Sequence, residues 1–181
     1  MIVIMTFILY ARPIGQAGAA LKGYWETVKQ KKALNHLFVR QYPPHVTLTS
    51  FFSTKEINLE KALNRAIAKT KSAKDIAITG LKQSTGFDRL EVQSKYLEEI
   101  AKRFAKRIGL PSNMVKKDLH LTLKQKTFKI EAKNEEIHKL QKELMKKLEH
   151  SSATKWTLCL YKSEKGTNQE QKLTLLKKTT P

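Results

Sequence analysis

PPHVTLTSFF (Pro43–Phe52) and DLHLTLKQK (Asp118–Lys126) carry one arrangement twice: a histidine, an apolar residue, a threonine and a leucine. Both runs alternate polar with apolar residues, the pattern of a strand that turns one face to a core. In the second run Leu119, Leu121 and Leu123 fall on one face, and His120, Thr122 and Lys124 on the other. In the first, the alternation assigns Val46 and Leu48 to the core, and His45, Thr47 and Thr49 to the opposite face. Each strand therefore presents an imidazole and a hydroxyl on its polar face, separated by one buried residue. The chain has only five histidines, and these two stand 75 residues apart in 181, close to half its length.

Outward from these strands the elements repeat. Ile2 to Tyr10 reads as a strand closed by Arg12-Pro13-Ile14-Gly15, and Ala17 to Lys32 as a helix with Ala17, Leu21, Tyr24 and Val28 on one stripe. His36 to Arg40 is a short extended candidate. Past the first histidine strand, Asn58 caps a helix from Leu59 to Thr70. Asp75 to Leu81 and Phe87 to Val92 make a hairpin around Ser84, Thr85 and Gly86. Lys95 to Ile108 is the clearest helix, ended by Gly109 and Pro111. The second histidine strand, a helix from Asn134 to His150, and strands Trp156 to Tyr161 and Lys172 to Lys177 complete the chain. The order reads as an internal duplication with no glycine- or proline-rich linker between the halves. The expected architecture is α+β: a single domain over residues 1–181, a duplicated bilobal fold with two antiparallel or mixed sheets flanked by helices and a central cleft.

Composition narrows the partners. Lys and Arg total 35 against 16 Asp and Glu, a formal net charge of +19. That charge does not choose a fold, but it favours polyanions, so RNA or a nucleotide is the expected substrate class. The one cysteine, Cys159, allows no intramolecular disulfide and lies in an apolar run, WTLCLY, where a packed side chain is the plain reading. The apolar N-terminal run MIVIMTFILYARP is too short to span a bilayer and lacks a basic leader. A cytoplasmic protein is expected, with no membrane association and no obligate protein partner.

The paired strands carry chemistry. A histidine titrates near neutrality, so one copy can serve as base and the other as acid on opposite sides of a phosphodiester, while threonine hydroxyls bond its non-bridging oxygens. His45, Thr47, His120 and Thr122 are the catalytic candidates. The alternative is a solvated strand face with chance His-x-Thr triplets. Two histidines without nearby cysteines or a third placed ligand make a poor zinc set, so neither metal nor cofactor is expected. For substrate binding the candidates are Arg12 and Arg89, whose forks match phosphate, with Lys124 on the His120 face and Tyr161 as a stacking ring. Tyr10, Tyr42, Phe51 and Phe87 are further aromatic candidates; surface ion pairs and core packing are the competing roles for all of these. His36, His138 and His150 read as incidental.

The two motifs, H45-V46-T47-L48 and H120-L121-T122-L123, with the proline pair before His45, resemble the 2H phosphoesterase superfamily, which includes RNA 2′,3′-cyclic phosphodiesterases and 2′-5′ RNA ligase-like proteins. The resemblance spans nearly the whole chain. It implies a duplicated lobe whose terminal strands complete the sheets, a metal-independent phosphodiesterase, and catalytic roles for His45, Thr47, His120 and Thr122. A 2′-5′ RNA ligase and a non-catalytic RNA-binding module remain the alternatives. Lys124-Gln125-Lys126 after the second motif departs from the small or aromatic pattern of many relatives.

Overall fold

The computed structural model describes residues 5–30, 44–53, 58–72, 74–84, 87–125, 134–149, 155–165 and 171–180. The expected extended piece His36–Arg40 lies outside them. The elements run β1 (Met5–Ile14), α1 (Gly15–Gln30), β2 (Val46–Ser53), α2 (Leu59–Lys69), β3 (Ala77–Lys82), β4 (Phe87–Gln93), α3 (Lys95–Arg107), a 3-10 turn (Ser112–Met114), β5 (His120–Gln125), α4 (Asn134–Glu149), β6 (Lys155–Lys165) and β7 (Gln171–Thr179).

The local signals explain most boundaries. Asn58 caps α2 through its side chain, which accepts from Lys61 N at 2.9 Å, and Ser94 caps α3 by accepting from Leu97 N at 3.1 Å. At the other end of α3, Gly109 takes φ of 73°, Leu110 N donates to Ala105 O and Gly109 N to Lys106 O. That is the Schellman closure a glycine permits. β1 runs further than expected, through Arg12 and Pro13 to Ile14. Proline is tolerated there because the ladder to β2 has already ended at Ala11↔Val46, leaving no β2 partner for the missing N–H, while Pro13 still pairs β6 at Trp156.

Two sheets were the expectation; the strands form one seven-stranded sheet in the order β3-β4-β5-β2-β1-β6-β7, with every pair antiparallel. What merges the halves is the pair Val46↔Leu121, the residue inside each His-x-Thr triplet. Interchanging β1 with β4, β2 with β5 and β3 with β6 leaves all pairings among these six strands unchanged, so the third strand of each half lies beside the first strand of the other. Helices follow suit, α1 packing on α4 and α2 on α3. One buried cluster joins residues of all four helices to one face of the strands, including Leu9, Val46, Leu48, Leu90 and Leu121.

Both histidine strands bulge at the same place. Pairing jumps from Tyr10↔Thr47 to Leu9↔Thr49, and from Arg89↔Thr122 to Asp88↔Lys124. Leu48 and Leu123, the last residues of the two motifs, are skipped. A bulge leaves its extra residue off the ladder, and a buried carbonyl then needs another donor. Leu48 O accepts from Lys116 N at 2.9 Å; Leu123 O accepts from the Tyr24 hydroxyl at 3.4 Å. The bulge also breaks the alternation: Thr49, expected on the polar face, is fully buried and donates to Met114 O at 2.9 Å.

Helix α1 carries two glycines that predict opposite outcomes. A Cβ at Gly18 would stand 2.7 Å from the Pro13 carbonyl oxygen, whereas one at Gly23 meets nothing within 4 Å. Gly23→Ala is expected to stabilise the fold by about 0.5–1 kcal/mol through helix propensity, and Gly18→Ala to destabilise it by about 1–3 kcal/mol through overpacking. Urea midpoints of the two variants beside wild type check both signs.

Candidate active site

The Val46↔Leu121 pair fixes the geometry of the motifs. In an antiparallel pair the flanking positions follow, so His45 lies beside Thr122 and Thr47 beside His120, strands being about 4.8 Å apart. Val46 and Leu121 are buried in the core, while the two histidines and two threonines are half-buried on the opposite face. The four candidates thus meet crosswise at the middle of the sheet: each histidine has a hydroxyl from the other half as its neighbour.

Each flank adds a different set of groups. On the β1 side the Tyr10 ring lies on His45 with centroids 3.8 Å apart, and Tyr161 lies 5.6 Å from Tyr10. The Tyr161 hydroxyl has its pKa raised, first by burial and then by Cys159, with the Arg12 guanidinium opposing. Arg12 and Tyr161 therefore stand together on the flank where the Tyr10 ring covers His45. On the β4 side the Phe87 ring meets His120 edge-on at 5.3 Å, and the Arg89 guanidinium lies 5.7 Å from the Phe87 centroid. Arg89 is ion-paired with Asp118 and reaches Glu91 at 3.5 Å. Lys124 pairs Asp88 through its backbone, and its side chain lies outside the described ones. Tyr42 is outside the described residues too, and Phe51 is a core residue stacked on Phe7 at 5.5 Å, away from this face.

His120 is held by the residue two positions before it. Its Nδ1 stands 3.0 Å from the Asp118 carbonyl, which can only accept, so Nδ1 carries the proton and Nε2 the lone pair of the neutral ring. Burial, the largest cause, holds its pKa below the usual 6.5, with Arg89 and Lys116 acting the same way and Asp118 opposing. A neutral imidazole at pH 7 is fit to take a proton.

Three residues outside the motifs were missed or misread. Asp88 is fully buried on the core face, accepting from Ser84 N at 2.8 Å and from Gln141 Nε2 at 3.0 Å. Gln141 also donates to the Tyr24 hydroxyl at 3.2 Å and accepts from Gln83 at 2.7 Å. His138, read as incidental, is half-buried with Nε2 3.6 Å from Asp88. The signal was present in FDRLEV, whose alternation puts Asp88 in line with Leu90 and Val92. His36 and His150 are outside the described residues. Among the described residues no group of three or more His, Cys, Asp or Glu could hold a metal ion, and no helix is long and apolar enough to cross a membrane.

No family model and no curated protein matches the chain. Solved structures do. One described as a phosphoesterase is similar with a TM-score of 0.57 at 14% identity, covering 97% of this chain and 98% of its own. E. coli LigT complexed with phosphate gives 0.54 at 13%, covering 98% and 97%. The same protein complexed with 3′-AMP gives 0.50 at 14%, covering 98% and 97%. The chain therefore shares the α+β fold of these structures along nearly its whole length.

The His120 environment predicts a pH dependence of stability. With the folded pKa below the unfolded value, the unfolded chain binds more protons between the two, so stability is greatest above about pH 6.5 and falls as pH drops through that window. His120→Gln is expected to lose less stability than wild type between pH 8 and pH 5. Denaturant unfolding at both pH values measures the difference.

Proposed function

We propose that the chain is a duplicated, two-lobed member of the 2H phosphoesterase superfamily, a metal-independent phosphodiesterase acting on 2′,3′-cyclic phosphate ends of RNA or related phosphodiesters. The observation that carries the reading is the crosswise meeting of His45, Thr122, Thr47 and His120 around the Val46↔Leu121 pair. Two imidazoles on adjacent rigid strands can address opposite sides of one phosphorus, and a hydroxyl beside each can donate to a non-bridging oxygen. One histidine takes a proton from water, whose oxygen bonds to phosphorus. The bond from phosphorus to one ribose oxygen breaks, and the other histidine protonates that oxygen, leaving a phosphomonoester. Arg12, Arg89 and Lys124 supply positive charge for the phosphate and Tyr161 a ring for a base. The net charge of +19 supports an RNA end over an uncharged substrate. The phosphate and 3′-AMP complexes of the similar LigT structures support a phosphate-bearing ligand on this fold.

The test is hydrolysis of an RNA oligonucleotide ending in 2′,3′-cyclic phosphate, with EDTA present. Turnover is expected to survive chelation and to drop by roughly 10²-fold or more in His45→Ala and in His120→Ala. The resolved 2′- or 3′-phosphate product names the bond broken. Supplying a 5′-hydroxyl RNA in the same assay reads 2′-5′ joining. No turnover, with salt-sensitive RNA binding that persists in both variants, would make the scaffold an RNA-binding module instead.

A further inference from the structure

The two halves differ beside their histidines. Opposite Thr122 stands Arg89, whereas Tyr10 stands opposite Thr47. Two residues before His120 is Asp118; two before His45 is Pro43, which has no carboxylate. Asp118 touches His120 twice over: its carbonyl oxygen is 3.0 Å from Nδ1 and its Oδ2 is 4.0 Å from the same nitrogen. Arg89 holds that carboxylate from the neighbouring strand. The guanidinium is itself confined, 14% exposed, bonded to Glu91 and packed on Phe87, while Asp118 is 64% exposed. A cavity of about 750 Å³ is lined in part by Asp118, Glu91, Lys95 and Lys117. An exposed carboxylate pinned to a confined arginine, next to a candidate catalytic ring, is more ordering than a surface ion pair needs.

We infer that the Arg89–Asp118 pair is a positioning device for His120, fixing its ring and the nitrogen that carries its proton. The inference rests on the proposed reaction only for its functional consequence. The carbonyl fixes which nitrogen carries the proton, and the ion pair fixes the carbonyl's residue. The carboxylate favours the imidazolium and the guanidinium disfavours it, so the pair balances two opposed charges at one ring. Among the described side chains the other charged or titratable groups around His120 are Lys116 on the same lead-in, Glu91 opposite on β4 and His45 across the β2 pair; none of them is replaced in the variants below.

The test follows the histidine Cε1–H resonances by NMR through a pH titration of wild type, Asp118→Asn, Arg89→Gln and the double variant. Asp118→Asn is expected to move the His120 midpoint down, Arg89→Gln to move it up, the double variant to fall between, and the His45 midpoint to stay. In kcat/KM against pH on the cyclic-phosphate substrate, the limb belonging to His120 moves in the same two directions. Opposite signs are what a general loss of packing does not produce. A His120 midpoint that stays put in both variants, or moves the same way in both, overturns the device whether or not the protein hydrolyses phosphodiesters. Midpoints that move as stated in a protein without turnover would sink the proposed reaction and leave the device standing.

Discussion

One antiparallel pair, Val46↔Leu121, sets where everything else in the site can be. Side chains on a strand alternate, so a slip of one residue in this register would bury both histidines and expose both apolar partners. The two buried side chains resist that slip: each lies in the core cluster with residues from the helices behind it. The joint is reinforced one turn of chain away by the isolated bridge Thr49↔Val115 and by Lys116 N on Leu48 O. Those bonds tie the strand carrying the first motif to the segment that leads into the second. The third strand of each half, paired with the first strand of the other, adds a further tie, and the halves share one continuous sheet across the site.

The bulges are the second constraint. An extra residue in a strand increases local twist and turns the residues beyond it to new faces. Here both extra residues follow the threonine, so each motif ends where its strand turns. Histidine and threonine stay on the open face, while Thr49 goes to the core in the first strand. The displaced carbonyls are satisfied by unrelated groups, a backbone amide for Leu48 and a tyrosine hydroxyl for Leu123. Burial pushes the Tyr24 pKa well above its usual value, which keeps that hydroxyl a donor at every ordinary pH.

Much of this was legible in the chain. Alternation in HVTL and HLTL placed both motifs on strands with the histidines facing away from the core, and the caps Asn58 and Gly109 marked helix ends because their chemistry is local. What could not be read was non-local. Period-two logic runs through a bulge without registering it, so Thr49 was assigned to the wrong face. Pro13 looked like a strand end because nothing in the sequence says that β2 has stopped pairing there. Two sheets were expected because the pairing that merges the halves joins residues far apart in the chain. At the site, His45, Thr47, His120 and Thr122 came from the repeated motif, while the ion pair of Arg89 with Asp118 spans 29 residues and has no local signature.

β4 shows how the two faces of the sheet cooperate. Opposite the β5 bulge its consecutive residues alternate, Asp88 into the core and Arg89 onto the open face. In β1 the corresponding pair is Leu9 and Tyr10, opposite Thr49 and Thr47. Replacing a leucine by a buried carboxylate is costly unless donors surround it. Ser84 N and Gln141 provide them, with His138 close by, and Gln141 in turn holds Tyr24 against the β5 bulge. The β4–β5 corner is therefore held from below by a polar network reaching α1 and α4, and from above by Arg89 on Asp118. At the β1–β2 corner Leu9 and the buried Thr49, which donates to Met114 O, lie below, and the Tyr10 ring lies above on His45. Hydrogen bonds and ion pairs constrain direction, whereas apolar contacts mainly constrain separation. A fold that is symmetric in its strand pairing thus surrounds its two histidines with unlike groups, the Tyr10 ring at His45 and Phe87 with the Arg89–Asp118 pair at His120.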